Sequence, residues 1–193
     1  MPPRARHIPE LLDVHAEDLA FLWSQRRAAI DSPEYSLREF AQLSERIEAH
    51  LQGLLIAPPH WLSRLLEAAL AEGDRDDVFA AAFAVLRCED AETAHEVMST
   101  FANSSGPALL GLRDALGHVA PGRITEDLRR ALATAKPDVA AAAAVALANQ
   151  RQLTSDAEGL ARLLLDESAF ACAQGWAAAW RADCQSTSGA RPE

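Results

Sequence analysis

The stretch Lys136-Pro-Asp-Val-Ala-Ala-Ala-Ala-Ala-Val-Ala-Leu-Ala-Asn-Gln150 decides the fold. Pro137 and Asp138 mark a turn at which a helix begins, because proline suits the first helical position. Alanine has the highest helix propensity, and its small side chain lets neighbouring helices pack closely. Such a segment is typical of the first helix in a repeated helix pair.

Three related blocks can be aligned around this stretch, at residues 77–104, 107–134 and 138–166. Their apolar positions recur about every 31 residues. These positions are Val78, Leu109, Val139 and Phe170, then Val85, Leu116 and Leu147 in the first helices, and Val97, Leu128 and Leu160, then Phe101, Leu132 and Leu164 in the second helices. One helix pair cannot bury its apolar face alone, so pairs stack on their neighbours. We therefore predict an α-solenoid of about three helix pairs over residues 57–184.

A helical hairpin is predicted before the repeats, over residues 1–56. Its first helix runs from about Pro9 to Ile30. Ser36-Leu-Arg-Glu39 is a capping box that starts the second helix, because the Ser and Glu side chains satisfy each other's free backbone N–H groups. The seam of this helix alternates by three and four residues. It consists of Leu37, Phe40, Ser44, Ile47, Leu51 and Leu54.

The last predicted helix runs from about Ser168 to Ala182 and carries two tryptophans, Trp176 and Trp180, four residues apart. Terminal repeats normally present a polar outer face. We therefore expect these tryptophans to pack inward, with an exposed dimer or partner contact as the alternative. The polar residues 185–193 are predicted to form a disordered tail.

The charge of the chain restricts its partners. The net charge is −10, and about −6 of it falls on residues 57–104. A protein that grips nucleic acid or an anionic membrane surface needs a basic face, so we expect no partner of either kind. No apolar run reaches the length of a membrane span, and no signal-peptide core follows the N-terminus. We therefore expect a cytoplasmic protein whose partner is basic.

The N-terminal half carries a resemblance to a known family. The stretches are His15-Ala-Glu-Asp-Leu-Ala-Phe-Leu-Trp23, Tyr35-Ser-Leu37 and Leu43-Ser-Glu-Arg-Ile-Glu-Ala-His-Leu-Gln-Gly-Leu54. Over residues 8–56 the chain resembles an uncharacterised proteobacterial family of HEAT-like repeat proteins often encoded near type VI secretion genes. The resemblance implies an all-α fold and a cytoplasmic accessory role as adaptor, effector chaperone or immunity-like protein. It implies no catalytic residues.

The sequence contains no spacing of histidines or cysteines that is typical of a metal site. The six histidines form no HExxH or HxxxH spacing, and the three cysteines form no CxxC pair. His15 and His50 fall on the two helices of the hairpin, where packing is the preferred interpretation over a site. We therefore predict no metal, no cofactor and no enzymatic activity.

Two acidic clusters flank the first helix of the first block. They are Glu72, Asp74, Asp76 and Asp77 before it, and Glu89, Asp90, Glu92 and Glu96 after it. The first cluster lacks the glycine and the oxygen ligands of a calcium loop, and acids at a helix start are favoured by the helix dipole. Together the clusters suggest one acidic edge that attracts a basic protein.

We therefore predict a non-enzymatic protein-binding scaffold, and the second helices of the repeats are expected to line its binding face. The candidate contacts are Glu92, His95, Glu96, Glu126, Arg130 and Arg162. Two alternatives stay open at this point. One is a HEAT-like lyase or cofactor-handling enzyme, which needs a pocket that gathers histidines and carboxylates. The other is a purely structural homodimer.

Overall fold

The computed structural model describes residues 8–30, 32–88, 91–154 and 156–188. These residues form ten α-helices and no strand, which confirms the all-α prediction. The helices are α1 Pro9–Ala29, α2 Leu37–Leu54, α3 Pro59–Glu72, α4 Arg75–Arg87, α5 Ala91–Asn103, α6 Gly106–His118, α7 Arg123–Thr134, α8 Pro137–Asn149, α9 Leu160–Leu164 and α10 Ala169–Ser188. Among the described helices, none is both long and apolar enough to cross a membrane.

Five helices pack side by side in one row, in the order α1, α4, α6, α8 and α10. The remaining helices pack on this row: α2 on α1, α3 on α4, α7 on α8, and α9 on α10, while α5 contacts α4, α6 and α7. Helices α4 and α8 therefore have protein on several sides. Every residue from 78 to 86 in α4 and from 139 to 148 in α8 is buried. The alanine run that decides the fold thus forms an interior helix, as all-round apolar helices do.

Close approach between α4 and α6 depends on Gly111. A Cβ atom at this position would collide with the backbone carbonyl oxygen of Arg75 and would lie 2.9 Å from the Cβ of Val78. Both neighbours belong to the body of α4, so neither can rotate away. The two helices pack backbone to backbone at this point because residue 111 has no side chain.

Helices α1 and α2 run in opposite directions. The Nε of Arg26, near the end of α1, donates to Ser44 Oγ at 3.2 Å, whereas His15 near its start meets His50 near the end of α2. The capping box at Ser36 is confirmed: Glu39 N donates to Ser36 Oγ, and Ser36 N donates to Glu39 Oε2. The predicted seam is wrong at Leu37, which is 90% exposed because α1 does not extend far enough to cover it.

The C-terminal end departs from the sequence prediction in three ways. The second helix of the third predicted block, α9, has only five residues, because it begins after Gly159, whose φ is +89°. Helix α10 continues to Ser188, past residue 185 where the tail was predicted to begin; residues 189–193 lie outside the described part. Trp176 and Trp180 are 59% and 71% exposed, which contradicts the inward packing that we expected.

Small residues occupy the buried face of α10 instead of the tryptophans. Ala171 and Ala178 are fully buried, and Ala182 is nearly so. Phe170, the last of the predicted repeat positions, is 43% exposed, and its neighbour Ala171 takes the buried place. Helix α10 packs against the alanine-rich α8, where close approach favours small side chains on both helices.

Candidate functional site

The six residues predicted as partner contacts lie in three separate settings. On α5, Glu92 and His95 are exposed, and Glu96 is half-buried and accepts a hydrogen bond from Ser63 Oγ at 3.1 Å. Ser63 belongs to α3, so this contact ties α5 to α3. The α5 residues face solvent or a neighbouring helix and line none of the grooves described below.

On α7, Glu126 and Arg130 both line an open groove of about 500 Å³ between α7 and the segment after α8. Each is held by a neighbour one turn away: Arg129 Nη1 donates to Glu126 Oε2 at 3.1 Å, and Arg130 Nη1 donates to Asp127 Oδ1 at 2.8 Å. These charges already have partners. Exposed pairs of this spacing stabilise a helix only weakly.

Arg162 has a structural contact. Its Nη2 donates to the backbone carbonyl oxygens of Leu132 at 3.2 Å and Ala135 at 3.0 Å. These carbonyls belong to the last turn of α7, where helix oxygens lack intrahelical partners. Arg162 therefore caps α7 and joins it to α9. The structure does not bring the six predicted residues together into one site.

A different group of acids surrounds a groove of about 410 Å³ between α1, α3 and α4, which we call the acidic groove. Its carboxylates are Asp13 and Glu17 from α1, Glu72 from α3 and Asp77 from α4. Its walls are apolar and mostly small, formed by Ala16, Leu65, Ala68, Ala69, Ala80 and Ala81. No basic side chain lines it. The groove thus combines four carboxylates with an apolar floor of small side chains.

Local sequence explains how α3 and α4 present their acids to the same groove. Gly73 adopts the left-handed conformation, with φ +75°, and ends α3. Asp74 then caps α4, accepting from the backbone N–H of Asp76 at 2.8 Å and of Asp77 at 3.3 Å. This tight connection brings the end of α3 and the start of α4 together. Glu72 and Asp77 therefore line one groove.

Asp77 is the carboxylate of the groove whose ionisation is disfavoured. Its pKa is raised, first because burial disfavours the charged carboxylate, and then because of the negative charges of Asp74, Glu72, Asp76 and Glu17. Asp76 differs from it, because its carboxylate pairs with Arg27 of α1 at 2.8 Å. The charge of Arg27 is therefore already engaged. A positive group entering the groove would relieve the repulsion on Asp77.

The single acidic edge suggested by the sequence stays a prediction, because two of its residues, Glu89 and Asp90, lie outside the described part of the chain. Helix α4 separates the two acidic clusters, and its 13 residues span roughly 18 Å. The first cluster combines with Asp13 and Glu17, which the sequence analysis missed. Their spacing of four residues on α1 was a usable signal, because like charges at that spacing destabilise a helix unless something else favours them.

The histidine pair proposed from the sequence exists but lines neither of these grooves. The Nδ1 atoms of His15 and His50 lie 3.2 Å apart, and His50 Nδ1 lies 3.6 Å from Asp18 Oδ2. His60 lies apart from them, exposed at the start of α3. Within the described residues, no group of three or more His, Cys, Asp or Glu side chains could hold a metal ion.

The acidic groove is suited to holding a cation. Its carboxylates provide hydrogen-bond acceptors, and its alanines contact the aliphatic part of a long basic side chain. No protein-family model, no curated protein and no solved structure matches the chain.

Proposed function

We propose that the chain is a non-enzymatic protein-binding scaffold that receives a basic side chain of its partner in the acidic groove. The observation that carries this proposal is the set of four carboxylates around an apolar floor, with no basic residue among the lining side chains. Charged groups on a folded surface are normally mixed in sign. A row of like charges in a concave site is instead complementary to a partner of opposite charge.

The energetics of the groove support a cationic occupant. The raised pKa of Asp77 means that its charged form is disfavoured in the folded chain. A lysine or arginine of a partner would stabilise that charge, and its methylene groups would cover the partly exposed Ala16, Leu65 and Ala68. Binding at such a site gains specificity and association rate from charge, while the apolar contact contributes affinity.

The wider role that we propose rests on the resemblance of residues 8–56 to HEAT-like repeat proteins encoded near type VI secretion genes. On this proposal the row of helices is a short HEAT-like solenoid. The protein acts in the cytoplasm as an adaptor, effector chaperone or immunity-like partner of a secreted protein. The basic side chain that enters the acidic groove belongs to that secreted protein or to a component of the secretion machinery.

A pull-down from host lysate with matched charge variants tests the proposal. The groove variant carries Asp13→Asn, Glu17→Gln, Glu72→Gln and Asp77→Asn. The control variant carries Glu34→Gln, Glu45→Gln, Glu67→Gln and Glu167→Gln, at exposed positions outside the groove. Both raise the net charge by the same amount, so general electrostatic attraction changes equally.

We expect one basic protein to be recovered with the unaltered chain and the control variant and lost with the groove variant. Recovery that is equal with both variants would show that the groove is not the binding site. If no protein is recovered whose binding requires the groove, the scaffold function loses its support. Circular dichroism and thermal melting of the three proteins establish that each is folded.

A further inference from the structure

A second concave site lies on the other part of α1, between α1, α2, α4 and the end of α6. We call it the aromatic groove and define it by Trp23, Arg26, Ser44, Phe83, Arg87 and His118. Its volume is about 210 Å³. It shares no lining residue with the acidic groove.

Stacked rings form one wall of the aromatic groove. Trp23 and Phe79 lie nearly parallel, with ring centroids 3.8 Å apart and an interplanar angle of 10°. Phe79 and Phe83 continue the stack at 5.2 Å and 23°. The edge of the His118 ring meets Trp23, with centroids 4.7 Å apart. These rings are fixed by the packing of α1 against α4, so the wall is preformed, and only a small part of Trp23 and Phe83 is exposed in it.

Arg26 supplies a cation without a counter-ion. Its Nε donates to Ser44 Oγ at 3.2 Å, and its guanidinium lies over Phe40 at 4.5 Å from the ring centroid and over Trp23 at 5.4 Å. Burial lowers the pKa of Arg26. Among the described residues, no carboxylate forms an ion pair with Arg26. The Nη1 and Nη2 groups of Arg26 donate no hydrogen bond to any described residue.

The other polar groups of the aromatic groove are already engaged. Glu48 also lines the groove, and its charge is engaged: Arg87 Nη2 pairs with Glu48 Oε1 at 3.0 Å, and Gln52 Nε2 donates to the same carboxylate. His118 Nδ1 donates to the backbone oxygen of Asp114 at 2.8 Å, and burial lowers the pKa of His118. The remaining uncompensated charge is therefore the positive charge of Arg26. It is a local positive site in a chain of net charge −10.

Trp23 adds a second unused donor. Its ring is 4% exposed, and its Nε1–H is buried without a hydrogen-bond acceptor in the described part of the chain. Buried polar groups are normally hydrogen-bonded, and each exception calls for an explanation. A ligand oxygen that reaches the indole N–H of Trp23 would supply the missing hydrogen-bond acceptor.

We propose that the aromatic groove binds a small aromatic carboxylate. A flat ring packs against the small exposed part of Trp23 and Phe83, and the carboxylate accepts two parallel hydrogen bonds from the planar guanidinium of Arg26. A cavity of about 150 Å³ accommodates benzene, so 210 Å³ accommodates one ring with its carboxylate. An aliphatic acid lacks the ring, and a phosphate lacks the apolar body that the wall requires.

Titration of the ¹⁵N-labelled full-length chain with benzoate, followed by ¹H–¹⁵N correlation spectra, tests this assignment. The indole N–H resonance of Trp23 is identified with Trp23→Phe and serves as a reporter inside the groove. We expect a saturable shift of this resonance with a dissociation constant of about 1 mM or lower. The indole resonances of Trp176 and Trp180, exposed on α10, should not move.

Matched variants and matched ligands distinguish the contribution of the Arg26 charge to binding from that of the ligand's aromatic ring. Arg26→Met keeps the aliphatic stem and removes the charge, and we expect it to weaken benzoate binding at least about tenfold. Arg46→Met, at an exposed position of α2, is the control and should bind like the unaltered chain. Ser44→Leu fills the groove without removing a charge and should also abolish binding. Acetate and benzyl alcohol should each bind at least about tenfold more weakly than benzoate.

Several results would overturn the assignment. One is the absence of a saturable Trp23 shift up to about 20 mM benzoate. Equal weakening by Arg26→Met and Arg46→Met would show that the effect of charge is general. Equal binding of benzyl alcohol and benzoate would show that Arg26 does not recognise the carboxylate. These outcomes are independent of the partner pull-down, since the two grooves have no lining residue in common.

Discussion

Asp114 of α6 and Arg75 of α4 form a buried ion pair, with Asp114 Oδ2 accepting from Arg75 Nη2 at 2.6 Å and from Nε at 3.0 Å. The other oxygen of the same carboxylate accepts from Arg113 Nε at 2.9 Å and Nη2 at 2.7 Å. Arg113 Nη1 in turn donates to Gln174 of α10 at 3.1 Å. One carboxylate that is only 5% exposed therefore links three helices of the central row.

Replacing Asp114 by Ala should destabilise the chain by about 3 kcal/mol or more, because two largely buried guanidinium groups lose their counter-charge. Urea unfolding followed by circular dichroism measures the change. Asp127→Ala is the matched control, since it breaks the exposed pair with Arg130 and should cost less than about 1 kcal/mol. Equal costs for the two variants would show that the buried network does not stabilise the row.

Asp77→Asn should stabilise the folded chain at neutral pH. The pKa of Asp77 is raised by burial and by neighbouring acids, so the folded chain binds this proton more tightly than the unfolded chain does. The charged carboxylate therefore opposes folding at pH values above its folded pKa. This cost disappears as the pH falls through the folded pKa to the ordinary value of about 4. We expect Tm to rise by about 1 °C at pH 7, after allowance for solvent screening, and to be unchanged below pH 4.

Asp76→Asn, at the neighbouring position, should have the opposite effect. It removes the carboxylate that pairs with Arg27 at 2.8 Å, and we expect a loss of about 0.5 to 1 kcal/mol. Differential scanning calorimetry of both variants over a pH series measures the two signs. A lower Tm for Asp77→Asn at pH 7 would contradict the repulsion that we assign to the acidic groove. If the groove binds a partner, Asp77→Asn should gain stability and lose affinity together.

The parts of the fold that local chemistry controls were predictable from the sequence. Three helix ends depend only on residues within one turn of each other: the capping box at Ser36, the end of α3 at Gly73 and the start of α8 at Pro137. The buried register of the repeat also follows from local period: Val78, Leu109 and Val139 are all buried. Such signals act over a few residues, so they can be detected without the tertiary structure.

The acidic groove was not predictable, because it depends on which face of α1 meets α3. Helix α1 has apolar residues on several faces: Leu12 and Leu19 are buried, whereas Leu11, Val14 and Phe21 are at least half exposed. Its hydrophobic pattern therefore selects no single buried face. Asp13 and Glu17 join Asp77 only through packing between segments about 60 residues apart. The candidate contacts on α5, α7 and α9 came from an analogy with repeat proteins and not from such packing.

Helix α10 shows how packing overrides residue hydrophobicity. The more apolar tryptophans are exposed, while the alanines of the same helix are buried against α8. Close approach to an alanine-rich helix requires small residues, because a tryptophan would hold the two backbones apart. An expectation based on hydrophobicity alone therefore assigned the wrong face.

The exposure of Trp176 and Trp180 predicts how the fluorescence of the chain responds to acrylamide. These two side chains are 59% and 71% exposed, whereas Trp23 is 4% exposed. The double variant Trp176→Phe, Trp180→Phe should lose most of the fluorescence that acrylamide quenches. The variant Trp23→Phe should keep that quenchable fluorescence. The double variant should keep its stability within about 0.5 kcal/mol, as exposed substitutions generally do. Quenching that increases on dilution would show that a second copy covers this face.

The effect of Gly53→Ala on the free energy of unfolding should change sign when His15 is replaced by Ala. A Cβ atom at Gly53 would lie 2.7 Å from the imidazole of His15, so alanine at this position displaces the ring that contacts His50. Gly53 is also helical, in the last turn of α2, where alanine is favoured over glycine by up to about 1 kcal/mol. We expect Gly53→Ala to be neutral or destabilising in the unaltered chain and stabilising by about 0.5 to 1 kcal/mol in a His15→Ala background. Urea unfolding of the four proteins measures the coupling. If Gly53→Ala stabilises both backgrounds equally, His15 moves away without cost, and the His15–His50 contact contributes nothing to the packing of α1 on α2.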